Sequence, residues 1–233
     1  MDKLKSLSKI VLKLRISGPI TQNVLLELKQ LLNINSLYSP QALAVIVNSH
    51  GGSAVQSNLI RKEIQSFSSK HNIKTLTFAE DYAASGAYLI LSAGDQVFSA
   101  SSSLIGCIGS SVNLFEFKEL AENYGVKRRQ WSTSPKDLDT LLDPLSPLRS
   151  EAKDWVKSTL NSTTVRLQDL VLQSRGGKVN KEKAFTGEYF NSDEAKTIGL
   201  VDQIGFCDDV ISKLYPGVRV VEPKTSKLRK LFS

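Results

Sequence analysis

The fold of this chain is decided by one stretch, Asp81-Tyr82-Ala83-Ala84-Ser85-Gly86-Ala87-Tyr88. Residues 74–80 before it are rich in β-branched and aromatic side chains, which favours a strand, and residues 88–91 are apolar and favour a helix. Ser85 is therefore predicted at a helix N-terminus, where backbone N–H groups are free. Such a serine can be an acyl-transfer nucleophile whose oxyanion is held by amides, or a helix cap.

Two further loops rich in glycine and serine follow predicted strands. The apolar run of residues 42–47 reads as a buried strand and ends at Asn48-Ser49-His50-Gly51-Gly52-Ser53, before a helical pattern over residues 55–67. The loop of residues 101–109 follows a strand over residues 96–100. Because glycine lets the backbone approach a ligand, three such loops at the ends of strands predict one crevice at the carboxyl edge of a parallel sheet.

Several segments, taken together, resemble the signal peptide peptidase A (SppA) family of serine proteases. They are residues 48–52, 83–88 and 105–109, then Thr186-Gly187, Ala195, Gly199-Leu200-Val201-Asp202 and Gly205, in order between about residues 10 and 206. The resemblance implies an α/β fold of the ClpP/crotonase type, a parallel sheet with repeated ββα units and covering helices. The alternation of predicted strands and helices agrees with a helix-covered parallel sheet. Beyond the third loop we predict a helix over residues 115–124, a basic strand over 127–132 and a long helix over 150–173.

The resemblance also implies the residues of the site. Ser85 takes the place of the nucleophile, and the amides of Gly51 or Gly52 and of Gly86 take the place of the oxyanion donors. The base in this family is a lysine, and Lys136, in Ser132–Asp137 after Tyr124-Gly125-Val126-Lys127, matches it best.

The lysine base sets a physical demand. A free lysine titrates near ~10.4, so a base near neutral pH needs its pKa lowered by roughly 3 units, or about 4 kcal/mol. Burial must supply this change, and Asp137, Asp139 and Asp143 must point away from the amine.

Three positions depart from the family pattern: His50 stands where proline is usual, Ala87 where glycine is usual, and Cys107 where serine is usual. The serine at the last position orients the catalytic lysine in the family, and a thiol is a weaker hydrogen-bonding group. Ser101, Ser102 or Ser103 could take over that role, and Cys107 could be a buried packing residue. His50, oriented by Asp81 or another acid, is an alternative base for Ser85.

Composition limits the class of protein. With 233 residues and no compositional break, the chain is predicted to be a single domain, 1–233, with basic tails over residues 1–9 and 224–233. Two cysteines form no disulfide framework, and no spacing of metal ligands or cofactor motif is visible. The net charge of +7 is concentrated in the tails, which could lie on anionic lipid or be solvated. No base-stacking aromatic set accompanies it, so nucleic acid is not expected as a partner.

No apolar run reaches the ~20 residues of a spanning helix. We therefore expect a protein inside the cytoplasm or an organelle, soluble or peripheral to a membrane. The family resemblance implies endopeptidase cleavage of hydrophobic peptides, such as signal-peptide remnants or unfolded and membrane-derived polypeptides, by a ring-like homo-oligomer in which Ser85 meets Lys136 of a neighbour. A non-catalytic scaffold or peptide-binding protein, and a crotonase-like acyl-CoA enzyme, are the alternatives.

Overall fold

The computed structural model describes residues 10–35, 40–129, 131, 133, 142–147 and 149–223. The chain divides into two compact units, a main unit of Met1–Gly109 with Leu167–Ser233 and a smaller unit of Ser110–Arg166. The tails at 1–9 and 224–233 and the lysine at position 136 lie outside the described residues. The single-domain organisation stays a prediction.

The main unit is built on a largely parallel sheet, which confirms the predicted fold class. Its strands are β1 (Ile10–Ser17), β2 (Ala42–Ser49), β3 (Lys74–Ala84), β4 (Gln96–Ser99), β5 (Leu104–Gly106), β6 (Tyr189–Phe190), β7 (Gln203–Ile204) and β8 (Arg219–Val221). Among the described residues the order is β6-β5-β3-β2-β1-β8, and β4 lies between β3 and β7. β3 pairs first with β4 and then with β5, and the pair of β5 with β6 is antiparallel. The carboxyl end of β3 therefore extends beyond β4 and pairs with β5 instead.

Helices connect most of these strands. They are α1 (Gln22–Asn35), α2 (Ala54–His71), α3 (Gly86–Leu91), α4 (Lys118–Asn123), α5 (Ser150–Arg175), α6 (Lys181–Ala184), α7 (Ser192–Thr197) and α8 (Cys207–Leu214). α4 is shorter than the predicted helix over residues 115–124, and α5 is slightly longer than predicted. The predicted basic strand over residues 127–132 is wrong for the residues described there, since 127–129 and 131 form no strand. Residues 127–129 are exposed. A strand needs a neighbouring strand to pair with, and an alternating sequence by itself does not provide one.

The two faces of the sheet are covered unequally. The larger core holds side chains from β1 and β2 packed against α1, α2, α3 and the last turns of α5. A smaller core on the opposite face contains Val11, Ile46, Phe78 and Phe98, with Ile211 of α8 packed on it. β2 is buried on both faces along residues 42–47, as its continuous apolar sequence predicts. Most of the hydrophobic stabilisation therefore lies on the helix-covered face, at about 1.5–3 kcal/mol for each large side chain buried.

A buried ion pair joins the end of α5 to the segment before β7. Arg175 is 4% exposed, and its guanidinium donates to both carboxylate oxygens of Asp202 at 2.9 and 3.0 Å. Asp202 also accepts from Lys178 Nζ and from the amide of Val97, each at 2.8 Å. Burial opposes the charge of Asp202, but the bonds from Arg175, Lys178 and Val97 outweigh it and lower its pKa from 3.8 to about 2.

This network predicts a pH-dependent stability. Because the folded pKa of Asp202 lies below its unfolded value, its contribution is present above pH ~4 and lost as the pH falls towards 2, by about 2 kcal/mol. Asp202→Asn should abolish that part of the acid dependence. At pH 7 it should lower the free energy of unfolding by roughly 3 kcal/mol, since Arg175 would keep a buried, uncompensated charge.

Urea denaturation of both proteins between pH 2 and 7 measures this effect. The matched control is Asp209→Asn, at an exposed carboxylate of α8, which should change the free energy of unfolding by less than about 0.5 kcal/mol. Equal stability of the wild type and Asp202→Asn at pH 7 would show that the ion pair does not stabilise the fold.

Candidate active site

Ser85 occupies a strained turn between β3 and α3. Its backbone has φ 51° and ψ −122°, a conformation that residues with a side chain rarely adopt and that costs about 1–3 kcal/mol. Two hydrogen bonds hold the turn: the Ser85 amide donates to the Gly106 carbonyl at 2.9 Å, and the Leu89 amide donates to the Ser85 carbonyl at 3.2 Å. A strained strand-to-helix turn of this kind lifts a serine side chain clear of the backbone, as nucleophile-bearing turns do.

The Ser85 hydroxyl is not a helix cap. It makes no capping bond to α3, although Ser85 is the residue before the first turn. Instead it donates to the carbonyl of Gly109 at 3.1 Å. The helix-cap interpretation is therefore wrong, and the hydroxyl is left half-buried and directed at the loop after β5.

Two backbone amides beside Ser85 have no acceptor within the part of the chain that the structure describes. Gly86 is the first residue of α3, so its N–H has no partner within the helix. The residues flanking Gly52 bond to Ile20, with the Ile20 amide donating to Gly51 and the Ser53 amide to Ile20, both at 2.9 Å. In this parallel bridge the N–H of Gly52 points away from Ile20. The amide of Gly51 is different, since it donates to Ser49 Oγ at 3.0 Å.

Close packing brings these two amides together. A Cβ built on Gly51, at φ 109°, would lie 3.0 Å from the Ala84 carbonyl oxygen and 3.1 Å from Ser85 Cβ. A Cβ built on Gly86 would lie 3.8 Å from the Gly52 nitrogen and only 2.3 Å from Ser57 Oγ. Glycine is therefore required at both positions for the loop after β2 to reach the turn at Ser85. Ser57, which is fully buried in α2, is a contact that sequence reasoning missed.

The structure does not support His50 as the base. The His50 ring lies against the Tyr82 ring with centroids 3.9 Å apart and planes tilted by 36°, and the Asp81 carboxylate accepts from Asn48 Nδ2 at 2.8 Å. Among the described residues, Ser85 makes no hydrogen bond to His50, and His50 makes none to Asp81. A Ser/His/Asp triad would need both.

The predicted base belongs to a segment that is only partly among the described residues. Lys136, Asp137 and Asp139 lie outside the described residues. Asp143 is described in the smaller unit, where its carboxylate accepts from the Leu145 amide and the Ser146 hydroxyl and contacts Arg128. The bonds from Leu145 and Ser146 lower the pKa of Asp143, so its charge is already satisfied locally.

The two candidates for orienting a lysine differ in position. Ser103 is 1% exposed and donates to the Ala79 carbonyl of β3 at 3.2 Å, six residues before Ser85. Cys107 is a free thiol with φ 46°, two residues before the carbonyl that receives the Ser85 hydroxyl, and its amide donates to Glu188 at 2.7 Å. Of the two, only Cys107 belongs to the segment that contacts Ser85.

Among the described residues, a strained serine between strand and helix lies beside two amides without an acceptor, an arrangement that is typical of acyl-transfer sites. Peptidase family S49 matches residues 68–220, and the chain belongs to this family. The family resemblance predicted from the motifs is thereby confirmed.

Two relatives of this chain are longer proteins that it matches over most of its own length. A Brucella melitensis protein named Na(+)/H(+) antiporter NhaA is 33% identical over 195 residues, which is 82% of this chain and 26% of that protein. A putative signal peptide peptidase SppA of Enterococcus faecium is 27% identical over 194 residues, or 83% of this chain and 55% of that protein. The chain thus spans less than two thirds of either relative.

A solved structure shares the fold. It is a mutant of the 1510-N membrane-bound stomatin-specific protease in complex with a substrate peptide, with a TM-score of 0.63, 15% identity and 97% of each chain covered. In the described part of this chain, no helix is long and apolar enough to cross a membrane.

Proposed function

We propose that the protein is a serine endopeptidase with Ser85 as nucleophile and Lys136 as base, and that it cleaves hydrophobic peptides. The observation that carries the proposal is the strained Ser85 turn beside the amides of Gly52 and Gly86, which have no acceptor among the described residues. Membership of a peptidase family supports the same chemistry.

The reaction follows from these groups. Ser85 Oγ leaves the Gly109 carbonyl, attacks the scissile carbonyl carbon and passes its proton to the neutral amine of Lys136. The tetrahedral oxyanion accepts hydrogen bonds from the N–H groups of Gly52 and Gly86. The carbon–nitrogen bond then breaks, and the leaving amine takes the proton from Lys136. Water attacks the acyl-enzyme ester by the same route, which releases the acid and restores the Ser85 hydroxyl.

Labelling with a fluorophosphonate tests the nucleophile directly. We expect one adduct per chain, located on Ser85 by mass spectrometry, and slow labelling in Lys136→Ala because the hydroxyl has lost its base. Labelling of wild type at other serines, or none at all in a folded protein, would contradict the peptidase assignment and favour a scaffold or peptide-binding role.

The oxyanion assignment leads to a second test. Gly86→Ala should lower kcat by about 10²-fold, because the new methyl group meets Ser57 Oγ and moves the Gly86 amide away from the oxyanion. Ser57→Gly removes the obstructing side chain, so the double variant Ser57→Gly/Gly86→Ala should recover much of the activity. Ser57→Gly alone is the matched control. Full activity of a folded Gly86→Ala protein would remove this amide from the site.

We also propose that the enzyme works as a ring-like homo-oligomer. The smaller unit supports this, because it exposes an unusual concentration of large apolar side chains: Val112, Leu114, Phe115, Phe117, Leu120, Tyr124, Val126 and Trp131. Phe115, Tyr124 and Trp131 are 73%, 79% and 84% exposed, and monomeric proteins rarely present such surface.

Mixing experiments test whether neighbours share the site. Inactive Ser85→Ala and inactive Lys136→Ala subunits, mixed and allowed to exchange, should regain part of the activity if Ser85 of one copy meets Lys136 of the next. A fully active monomer in light scattering would rule out this arrangement. Contact of the basic tails with anionic lipid stays a prediction.

A further inference from the structure

Arg61 is a buried arginine on the side of α2 that meets the end of α5. The residue is only 6% exposed, so its guanidinium is almost fully removed from water. Nη1 donates to Gln65 Oε1 at 2.9 Å and to Ser174 Oγ at 3.1 Å. Both of these acceptors are neutral. Within the described ranges, Arg61 is therefore a buried cation that has no carboxylate as a partner.

One edge of the Arg61 guanidinium is left open. Nε is buried and has no acceptor in the part of the chain that the structure describes, and Nη2 donates no hydrogen bond there either. Nε and Nη2 together form the edge from which an arginine donates two parallel hydrogen bonds to a carboxylate or a phosphate. The bonds to Gln65 and Ser174 occupy Nη1 alone, so the bidentate edge is the one that stays open.

Burial without a counter-ion is unfavourable for this cation. Burial lowers the pKa of the Arg61 guanidinium, and no charge among the described residues is placed to raise it again. An arginine keeps its proton in proteins, so the unfavourable energy is not relieved by neutralisation. The last turn of α5, which contains Ser174, has a partial negative charge on its free carbonyl groups, but it supplies no bond to Nε. The open edge of Arg61 therefore favours a negatively charged ligand.

A second unpaired polar group lies one turn before Arg61. Asn58 precedes Arg61 by three residues and so lies on the same side of α2. Its Oδ1 is buried and has no hydrogen-bond partner among the residues described. Turning this amide by 180° presents Nδ2 at the same place, and Nδ2 is a donor to an anion. Two neighbouring buried polar groups without partners indicate a place where a polar ligand binds.

We propose that Arg61 binds a small oxyanion, of the carboxylate, phosphate or sulfate type, with Nε and Nη2 as two donors and the Asn58 amide as a third. The low exposure of Arg61 limits the ligand to a small ion. α2 begins at Ala54, two residues after Gly52, and Arg61 also bonds to Ser174 of α5. The bound ion therefore stabilises the helix that follows the glycine loop. Such a site is independent of the proposed peptidase function.

Thermal unfolding at increasing oxyanion concentration tests the site. The wild type is heated in Tris–chloride buffer with sodium acetate, phosphate or sulfate, and sodium chloride keeps the ionic strength constant. At an oxyanion concentration of about ten times Kd, the unfolding equilibrium constant should fall about 11-fold and Tm should rise accordingly. Isothermal titration calorimetry with the same three ions gives Kd and the number of ions bound to each chain.

Variants separate specific binding from the general stabilisation of proteins by such salts. Arg61→Met removes the charge at similar volume, so it should be more stable than the wild type in chloride buffer and should lose the specific response to oxyanions. Arg61→Lys keeps the charge without the fork and should bind the ion at least about 10-fold more weakly. Lys62→Met is the matched control, since Lys62 is the next residue of α2 and is exposed. It should keep the wild-type response.

Two results would overturn the proposed site. An equal rise of Tm in the wild type and in Arg61→Met would show that the ions act on the protein as a whole. No binding of any of the three ions to the wild type would show that water satisfies the open edge. If Arg61→Met does not fold, wild-type crystals soaked in selenate decide the question. An anomalous peak within hydrogen-bond distance of Arg61 Nε supports the site, and no peak there overturns it.

Discussion

Ser85→Ala is expected to reduce peptide hydrolysis by about 10⁴-fold or more, because the acyl-enzyme cannot form without the hydroxyl. The fold should tolerate the change. Among the described residues the side chain makes one hydrogen bond, to the Gly109 carbonyl, and the backbone strain at Ser85 is the same with alanine. We expect the free energy of unfolding to change by less than about 1.5 kcal/mol. Steady-state hydrolysis and urea denaturation of the same preparations measure both quantities.

The matched control for Ser85→Ala is Ser92→Ala, seven residues further along the chain. Ser92 is 2% exposed and also donates its hydroxyl to a backbone carbonyl, that of Leu89 at 2.8 Å. This variant should lose about 1 kcal/mol of stability and keep its activity. A Ser85→Ala protein that retains most of its activity, or one that unfolds while Ser92→Ala does not, would show that Ser85 has a structural role.

Lys136→Ala is expected to have the next largest effect, a loss of about 10³-fold or more in kcat/KM, since Ser85 would have no group to take its proton. The acidic limb of the pH–rate profile, which reports protonation of the base, should disappear with it. Hydrolysis from pH 5 to 10 measures both effects. The exposed Lys127 provides the control variant Lys127→Ala, which should keep the wild-type profile. An unchanged profile in Lys136→Ala would transfer the role of base to another group.

The position of Ser85 between a strand and a helix was predictable from local pattern. β-branched and aromatic residues before it and apolar residues after it favour the two elements, and small neighbours leave room for a substrate. Its strain was not predictable, because φ 51° is imposed by bonds to Gly106 and Leu89 and by the packing of Gly51 on the turn. The same distant contacts exclude the helix-cap role of the Ser85 hydroxyl, which the local sequence left open.

The candidate oxyanion donors show the same division. Glycines after β2 and at the start of α3 indicated backbone amides, but all three candidates looked equivalent in the sequence. The bond from the Gly51 amide to Ser49 and the bridge of Gly52 to Ile20 separate them. Both contacts depend on how the loop after β1 meets the loop after β2. No hydrophobic periodicity in the sequence specifies that meeting.

The sequence by itself indicated the strands β2, β3 and β4, the helices α2, α3 and α5, the family, and the turns in which Ser85 and the glycines beside it lie. These follow from hydrophobic period and from glycine, which act over a few neighbouring residues. Only the tertiary structure decided that Ser57 requires glycine at position 86, that the Ser85 hydroxyl donates to the Gly109 carbonyl, and that the Cys107 amide donates to Glu188. These contacts join residues between 24 and 81 positions apart, and their free energy depends on which strands pair and in what register, so no local pattern specifies them.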